Sequence, residues 1–453
     1  MWESTSGKTP VSHLSEVLFL IIILIMKPSI YNHVVNLSGR EILYNSFSNQ
    51  FLPLTPEIKS VIDGNMTDNE LASALASQHI MVNDDINEVE MVRNLFLRRK
   101  NSTQTYDLTI NTSLQCNLKC WYCYETHIPK SLMPLSLVDK ILRHLDLKAT
   151  SEPFKLLRLT FFGGEPMMNY KAVAALLDGV KTQSERYDYK VMVTFVTNGT
   201  YLSEQYVELL RPFDTFFQIT IDGDQATHDS IRTYKHPTSS HGSYDKIISG
   251  LKLFSEAEER FRFLIRINYD DRVLQNLSQL ISDIDFLDRR RTVISLHRVW
   301  QYKPTEQTAD RVIDGINLIN SHGFLMGSYN LSPRFEGCYA DNMNQAVINY
   351  DGSVFKCTAR DFTKSKSMGR LNSLGFIEWD TEAVTTRHNL SIPDMCLKCS
   401  LLPSCPGICS QKRTEAKSQE ELQCLFENGI NRENIILINL KQQIINKKLK
   451  NYA

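Results

Sequence analysis

The chain has 453 residues, 42% of them hydrophobic and 22% charged, which is enough for two or three domains and is the balance of an ordinary globular protein. A formal net charge of −1 gives no electrostatic reason to expect nucleic acid or an anionic membrane as a partner, and neither is expected. None of the ten cysteines falls in the first 115 residues; three sit at 116–123 and seven between 338 and 424, a clustering that favours metal over a disulfide framework.

In chain order, the run EVLFLIIILIM (residues 16–26) has the apolar character of a signal-peptide core but is too short to span a bilayer. No small-residue cleavage site follows, and Met26 opens a stretch that reads like the start of a cytoplasmic protein. Residues 1–25 are therefore read as an over-extended start, with a leader as the alternative, and a cytoplasmic location is expected. Residues 26–104 are predicted to be a small α+β module. YNHVVNL, EILYNSF and QFLPL are strand-like, the first two separated by a Ser-Gly turn. Helical patterns follow, with Thr67 and Glu70 at capping-box spacing before one of them. Three strands and then three helices suit a winged-helix-like module; the alternative is a decoration packed on the next domain.

Over residues 105–325 the strand-like segments YDLTINTSL, LLRLTFF, VMVTFVT, FFQITI, FLIRINY and VISLHRV alternate with helix-like ones. This predicts an α/β fold with a parallel sheet covered by helices. Six units are too few for a closed eight-fold barrel, so a partial (β/α)6 barrel is expected. Over residues 326–430 the alternation stops and apolar runs are short, which predicts a cysteine-rich domain with little core of its own that depends on metal. Residues 431–453 read as a basic, solvated helix end.

Ligands collect at the C-terminal ends of the strands in such a sheet. The first strand is followed by LQCNLKCWYCYE, which holds Cys116, Cys120 and Cys123; the second ends in FFGGEP, the third in TNG and the fourth in TIDG. Three thiolates leave one corner of a metal site open. Completed by His127 they would make a Cys3His zinc site. As ligands of a four-iron cube they would leave one iron free to chelate a small molecule by amine and carboxylate.

Cys-x3-Cys-x2-Cys after the first strand, with Tyr122 before the last cysteine and GGEP at Gly163, Gly164, Glu165 and Pro166 after the second, resembles the radical S-adenosylmethionine (SAM) superfamily. The resemblance implies a [4Fe-4S] cluster on the triad whose open iron takes the methionyl end of SAM. Reductive cleavage then yields a 5′-deoxyadenosyl radical that abstracts hydrogen from carbon. Tyr122 and Gly163–Pro166 become cofactor-binding candidates, Glu165 as acceptor for the methionyl ammonium. Asn198, Thr220 and Arg232 are candidates for the ribose and carboxylate contacts. The plainer alternatives are strand-end hydrogen bonds for Asn198 and Thr220 and a surface salt bridge for Arg232. A reducing partner such as flavodoxin or ferredoxin is expected.

The C-terminal spacing is Cys338-x13-Gly-x4-Cys357, then Cys396-x2-Cys399-x5-Cys405-x3-Cys409, then Cys424. It is similar to the SPASM extension of radical enzymes that modify peptides; the alternative is a zinc ribbon from Cys396, Cys399, Cys405 and Cys409. The resemblance implies two auxiliary clusters, one on Cys396, Cys399, Cys405 and Cys424 and one on Cys338, Cys357 and Cys409 with a ligand missing. Three clusters are expected in all. One such subfamily matures anaerobic sulfatases and carries an aspartate base directly after the cysteine equivalent to Cys357, where this chain has Thr358, although Asp341 or Asp361 is nearby in sequence. The other crosslinks ribosomally made precursor peptides, often with an N-terminal winged helix that captures the leader. The second reading is preferred, and a non-catalytic electron carrier is disfavoured because it would need no GGEP. No catalytic side chain is assigned.

Overall fold

The structure, a computed structural model, describes residues 26–451 apart from 237–241, 259, 334, 336, 360, 406, 423 and 425–429. The expectation for residues 1–25 lies outside the described residues. No helix among them is long and apolar enough to cross a membrane. The chain divides into two compact units, residues up to Arg98 with Leu331–Gly337 and Ile392–Gly407, and the remainder from Arg99.

In the first unit, strands Asn32–Leu37, Arg40–Asn45 and Gln50–Pro53 form an antiparallel sheet in that order. Ser38 and Gly39 turn the first hairpin with φ of 52° and 85°, the double positive φ that a two-residue turn matching strand twist demands. Helices Pro56–Ile62, Asn69–Ser77 and Glu88–Lys100 follow, with a short strand Met81–Asn83 that pairs with Met26–Pro28. The second helix is capped by Asp68, whose side chain accepts from Leu71 N, and not by Thr67 of the expected capping box. Leu43, Val61, Leu75 and Ile80 form one core, while Tyr31 and Val92 pack with Leu402 and with the half-buried Cys396 and Leu397.

The second unit is built on the expected sheet. Strands β1 (Thr105–Ser113), β2 (Leu156–Gly163), β3 (Lys190–Thr197), β4 (Asp214–Thr220), β5 (Phe261–Tyr269) and β6 (Thr292–Arg298) lie side by side in chain order, all parallel. Burial alternates along β2, β4 and β5, whereas the last six residues of β1 are all buried. In β2, Leu157, Leu159 and Phe161 are fully buried while Arg158, Thr160 and Phe162 on the opposite face are not. On the buried face Phe161, Phe195, Phe217 and Phe263 stack across four neighbouring strands with ring centroids 4.7, 5.7 and 5.9 Å apart.

The sheet does not stop at six strands. Leu325–Met326 pairs in parallel beyond β6, and Gln345–Ile348 pairs in parallel with β1. Ser353–Phe355, Gly369–Leu371 and Ile377–Trp379 then extend it as an antiparallel meander. This part of the cysteine-rich segment shares the main core, with Val347, Phe355 and Phe362 packed against Leu114. The terminal helix Arg432–Asn451 is likewise docked: Ile435, Ile436 and Ile438 are buried, and Gln442 accepts from Met326 N at 2.7 Å.

Candidate active site

The C-terminal ends of β1 to β4 converge as the sequence predicts, and backbone close to backbone is what holds them. Gly163, at φ 122°, lies so near β1 that a Cβ would come within 2.1 Å of Ser113 O; one on Gly164 would come within 2.2 Å of Gln115 O. Gly164 N and Glu165 N donate to Ser113 O and Gln115 O at 3.0 and 2.7 Å. The two glycines thus clamp the stem of the cysteine loop onto the end of β2.

Glu165 is fully buried. Its carboxylate accepts from Met167 N (3.0 Å), Thr197 Oγ1 (2.8 Å) and Asn198 N (2.7 Å), so protein donors occupy much of its capacity. Burial outweighs these bonds and pushes Glu165 up to about 7. Asn198 carries the link to the cysteines: its Nδ2 donates to Asn117 Oδ1 at 2.8 Å and reaches Cys116 Sγ at 3.6 Å, while Leu118 N stands 3.4 Å from the same sulfur.

A second buried cluster centres on Tyr122. Its hydroxyl donates to Asp222 Oδ2 and accepts from Arg232 Nη1 at 2.6 Å and from Asn268 Nδ2 at 3.1 Å. Asp222 Oδ1 accepts from Asn268 N at 2.8 Å, and Oδ2 faces Arg232 Nη1 at 3.6 Å. Arg232 is buried by the antiparallel pairing of Arg232–Tyr234 with Leu118–Cys120, so the surface salt bridge is replaced by an internal one. Burial opposes its charge, but Tyr122, Cys120 and Asp222 outweigh that and hold the guanidinium well protonated. Its buried Nε has no partner among the described residues. Thr220 ends β4 opposite Arg266 of β5 and remains partly exposed. Asp222, Asn268 and Asn117 are hydrogen-bonded to these candidates without being candidates themselves; only Asp222 carries a sequence signal, its place inside TIDG.

The triad thiols are half-buried. Burial, then the nearby Glu165, pushes Cys116 up to about 12, and burial with Cys120 and Glu125 pushes Cys123 up to about 11. His127 Nε2 lies 3.6 Å from Cys123 Sγ, and burial, then the Lys235 ammonium, pushes His127 down to about 4. A cavity of about 940 Å³ opens on Cys116, with His127, Met168, Tyr201, Lys235 and Lys246 in its wall. Among the described residues no three His, Cys, Asp or Glu side chains close around a point as they would around a single ion.

The sequence model of the radical SAM superfamily matches residues 110–270, the span from β1 through β5 with every strand-end motif. Residues 110–270 are a radical SAM domain. The chain is 21% identical over 383 residues to the radical SAM cyclopropyl synthase TigE of Paramaledivibacter caminithermalis, covering 75% of this chain and 76% of that one. It is 25% identical over 164 residues to a cysteine-type anaerobic sulfatase-maturating enzyme of Clostridium novyi, there covering 34% and 42%. Among solved structures, Streptococcus suis SuiB bound to its precursor peptide SuiA superposes with a TM-score of 0.51 at 16% identity over 87% of this chain and 98% of that one.

A radical SAM domain implies a [4Fe-4S] cluster and SAM, and the residues present fit both. The triad offers three half-buried sulfurs with amide donors already directed at Cys116, the setting that stabilises thiolate ligands. The orphaned Arg232 Nε is a buried donor that a cofactor carboxylate would satisfy. Farther along the chain, burial, then Asp341, Cys357 and Cys409, pushes Cys338 up to about 11. Cys396 lies in the short helix Asp394–Leu397 of the first unit, with Cys399 and Cys405 just after it, whereas Cys424 belongs to the second.

Proposed function

We propose that this radical SAM enzyme modifies a ribosomally made precursor peptide, joining two of its atoms in a thioether or carbon–carbon crosslink. Cys116, Cys120 and Cys123 would hold the cluster that cleaves SAM, and the seven C-terminal cysteines would hold two auxiliary clusters. When bound, SAM supplies a 5′-deoxyadenosyl radical that removes hydrogen from the substrate carbon. The protein's own part is to hold and orient: Arg232 Nε and Thr220 would take the methionyl carboxylate and ribose side, while Gly163 and Gly164 keep the loop against the strand ends.

The observation that carries the choice of substrate is the state of the carboxylates around Cys357. Formylglycine formation needs a base beside the substrate. At position 358 the threonine hydroxyl is bonded to Tyr339 Oη at 2.8 Å. Asp341 is engaged by Arg413 Nη2 at 2.7 Å and by Ser410, and Asp361 by Lys366 Nζ at 2.5 Å. Both candidate substitutes are thus already engaged by cationic side chains, and neither stands directly after Cys357. The cyclopropyl synthase relative and the precursor peptide seen on SuiB support a peptide substrate. Strand Asn32–Leu37, an edge of its sheet with Val34 53% exposed, offers backbone groups to which a leader segment can add, and a cytoplasmic location completes the reading.

Sulfatase maturation is the second reading, favoured by the Clostridium novyi relative and by Glu125, which burial pushes up to about 8 on the segment leading out of the triad. Tandem mass spectrometry after anaerobic incubation with a candidate precursor peptide separates the two. A linked pair of residues that has lost two hydrogens is expected. Failure to link it, together with a hydroxylamine-reactive aldehyde formed on a sulfatase peptide, would reverse the assignment.

A further inference from the structure

His127 and Lys235 stand beside the triad with no role in the chemistry so far. Lys235 Nζ is 3.0 Å from His127 Nδ1, and His127 Nε2 is 3.6 Å from Cys123 Sγ. An ammonium has three donors and no acceptor, so Nδ1 must be the accepting nitrogen. An imidazolium would set N–H against N–H, which this contact forbids. The ring's single proton therefore lies on Nε2 and faces the cysteine sulfur. A protonated Nε2 cannot ligate zinc, and a zinc-bound histidine gives its other N–H to an acceptor, which a lysine does not provide. The Cys3His zinc site weighed from sequence is thus not what these side chains are arranged to hold.

We propose that His127, fixed in one tautomer by Lys235, donates an N–H···S hydrogen bond to the Cys123 thiolate and thereby raises the reduction potential of the triad's cluster. The inference rests on the reading that the triad holds a four-iron cluster. The electron added on reduction increases the negative charge on the ligating sulfurs. A donor aimed at one of them stabilises the reduced form more than the oxidised form. Asn198 Nδ2 and Leu118 N act on Cys116 in the same sense, so His127 extends to the last cysteine what the strand end does for the first. His127 and Lys235 also line the cavity that opens on Cys116, which keeps this positioning pair within reach of solvent.

The test is an EPR-monitored potentiometric titration of the anaerobically reconstituted full-length protein. The triad's signal is the one missing from a variant with Cys116, Cys120 and Cys123 changed to alanine. His127→Leu is expected to shift the reduction equilibrium about tenfold toward the oxidised form, about 59 mV for one electron. His127→Gln keeps an N–H and should recover most of the shift. Lys235→Met frees the tautomer and should move the potential the same way as His127→Leu, by less. An unchanged potential in His127→Leu with its cluster intact overturns the proposal; if that variant holds no cluster, an unchanged potential in Lys235→Met does so. A wild-type triad that carries zinc and gives no signal would instead remove the cluster reading itself.

Discussion

Tyr122 and Asp222, one in the cysteine loop and one just past β4, share a hydrogen bond at the buried centre of the site, and Arg232 donates to the same tyrosine hydroxyl at 2.6 Å. The contact ties the loop that carries the triad to the strand ends that face it. It also places a buried ion pair where any change has a large cost. Asp222→Ala would leave Arg232 charged, buried and unpaired, and is expected to destabilise the protein by about 3–5 kcal/mol. Tyr122→Phe strands two donors and one acceptor and should cost about 1–3 kcal/mol. Chemical denaturation of the apo-protein measures both, and losses below about 1 kcal/mol would show that the network does not brace the loop.

Gly163→Ala and Gly164→Ala probe the clamp between β1 and β2. In each case the new Cβ meets a backbone carbonyl, at 2.1 and 2.2 Å, which cannot swing away as a side chain can. The loop must shift. Each variant is expected to lose most of its iron at the triad and more than tenfold in 5′-deoxyadenosine formation, a disturbance of the order that small misplacements cause. Normal iron content with normal turnover would mean that the close approach has no consequence.

Glu165 gives a pH prediction. Its carboxyl, ordinarily near 4.5, is pushed up to about 7 in the folded protein by burial. Between these values the folded state holds a proton that the unfolded chain has released, so stability falls as pH rises through this window. The fall amounts to at most about 3 kcal/mol. Glu165→Gln cannot titrate, so its stability relative to wild type should improve as pH goes from about 5 to about 7. A difference that stays constant with pH would show that Glu165 is ionised throughout.

The sequence made the strand-end motifs legible because chemistry dictates residue type and spacing there. Cysteines at fixed intervals and paired glycines have few other uses. The six strands and their helices could be read because buried and less buried faces alternate over long segments. Arg232 could not. Its burial depends on a three-residue strand pairing that brings it against Tyr122, 110 positions away, and nothing local distinguishes it from a surface arginine. The same limit hid the meander from Ser353 to Trp379, whose three-residue strands carry no periodic signal. The Lys235–His127–Cys123 contact also escaped, since His127 invited a zinc reading until the lysine at its other nitrogen was placed.

Iron content tests the auxiliary assignment. Reconstituted protein should bind about twelve irons, from three four-iron clusters. Changing Cys338, Cys357 and Cys409 to alanine should remove about four while leaving the triad's signal. A wild-type count near four would remove the auxiliary clusters from the account.

The most direct measurement is of 5′-deoxyadenosine released when the anaerobically purified, metal-analysed protein is given SAM and a low-potential reductant. The account predicts release by wild type and none by the variant with Cys116, Cys120 and Cys123 changed to alanine. Zinc as the sole metal at those three cysteines, with no nucleoside released, would contradict it.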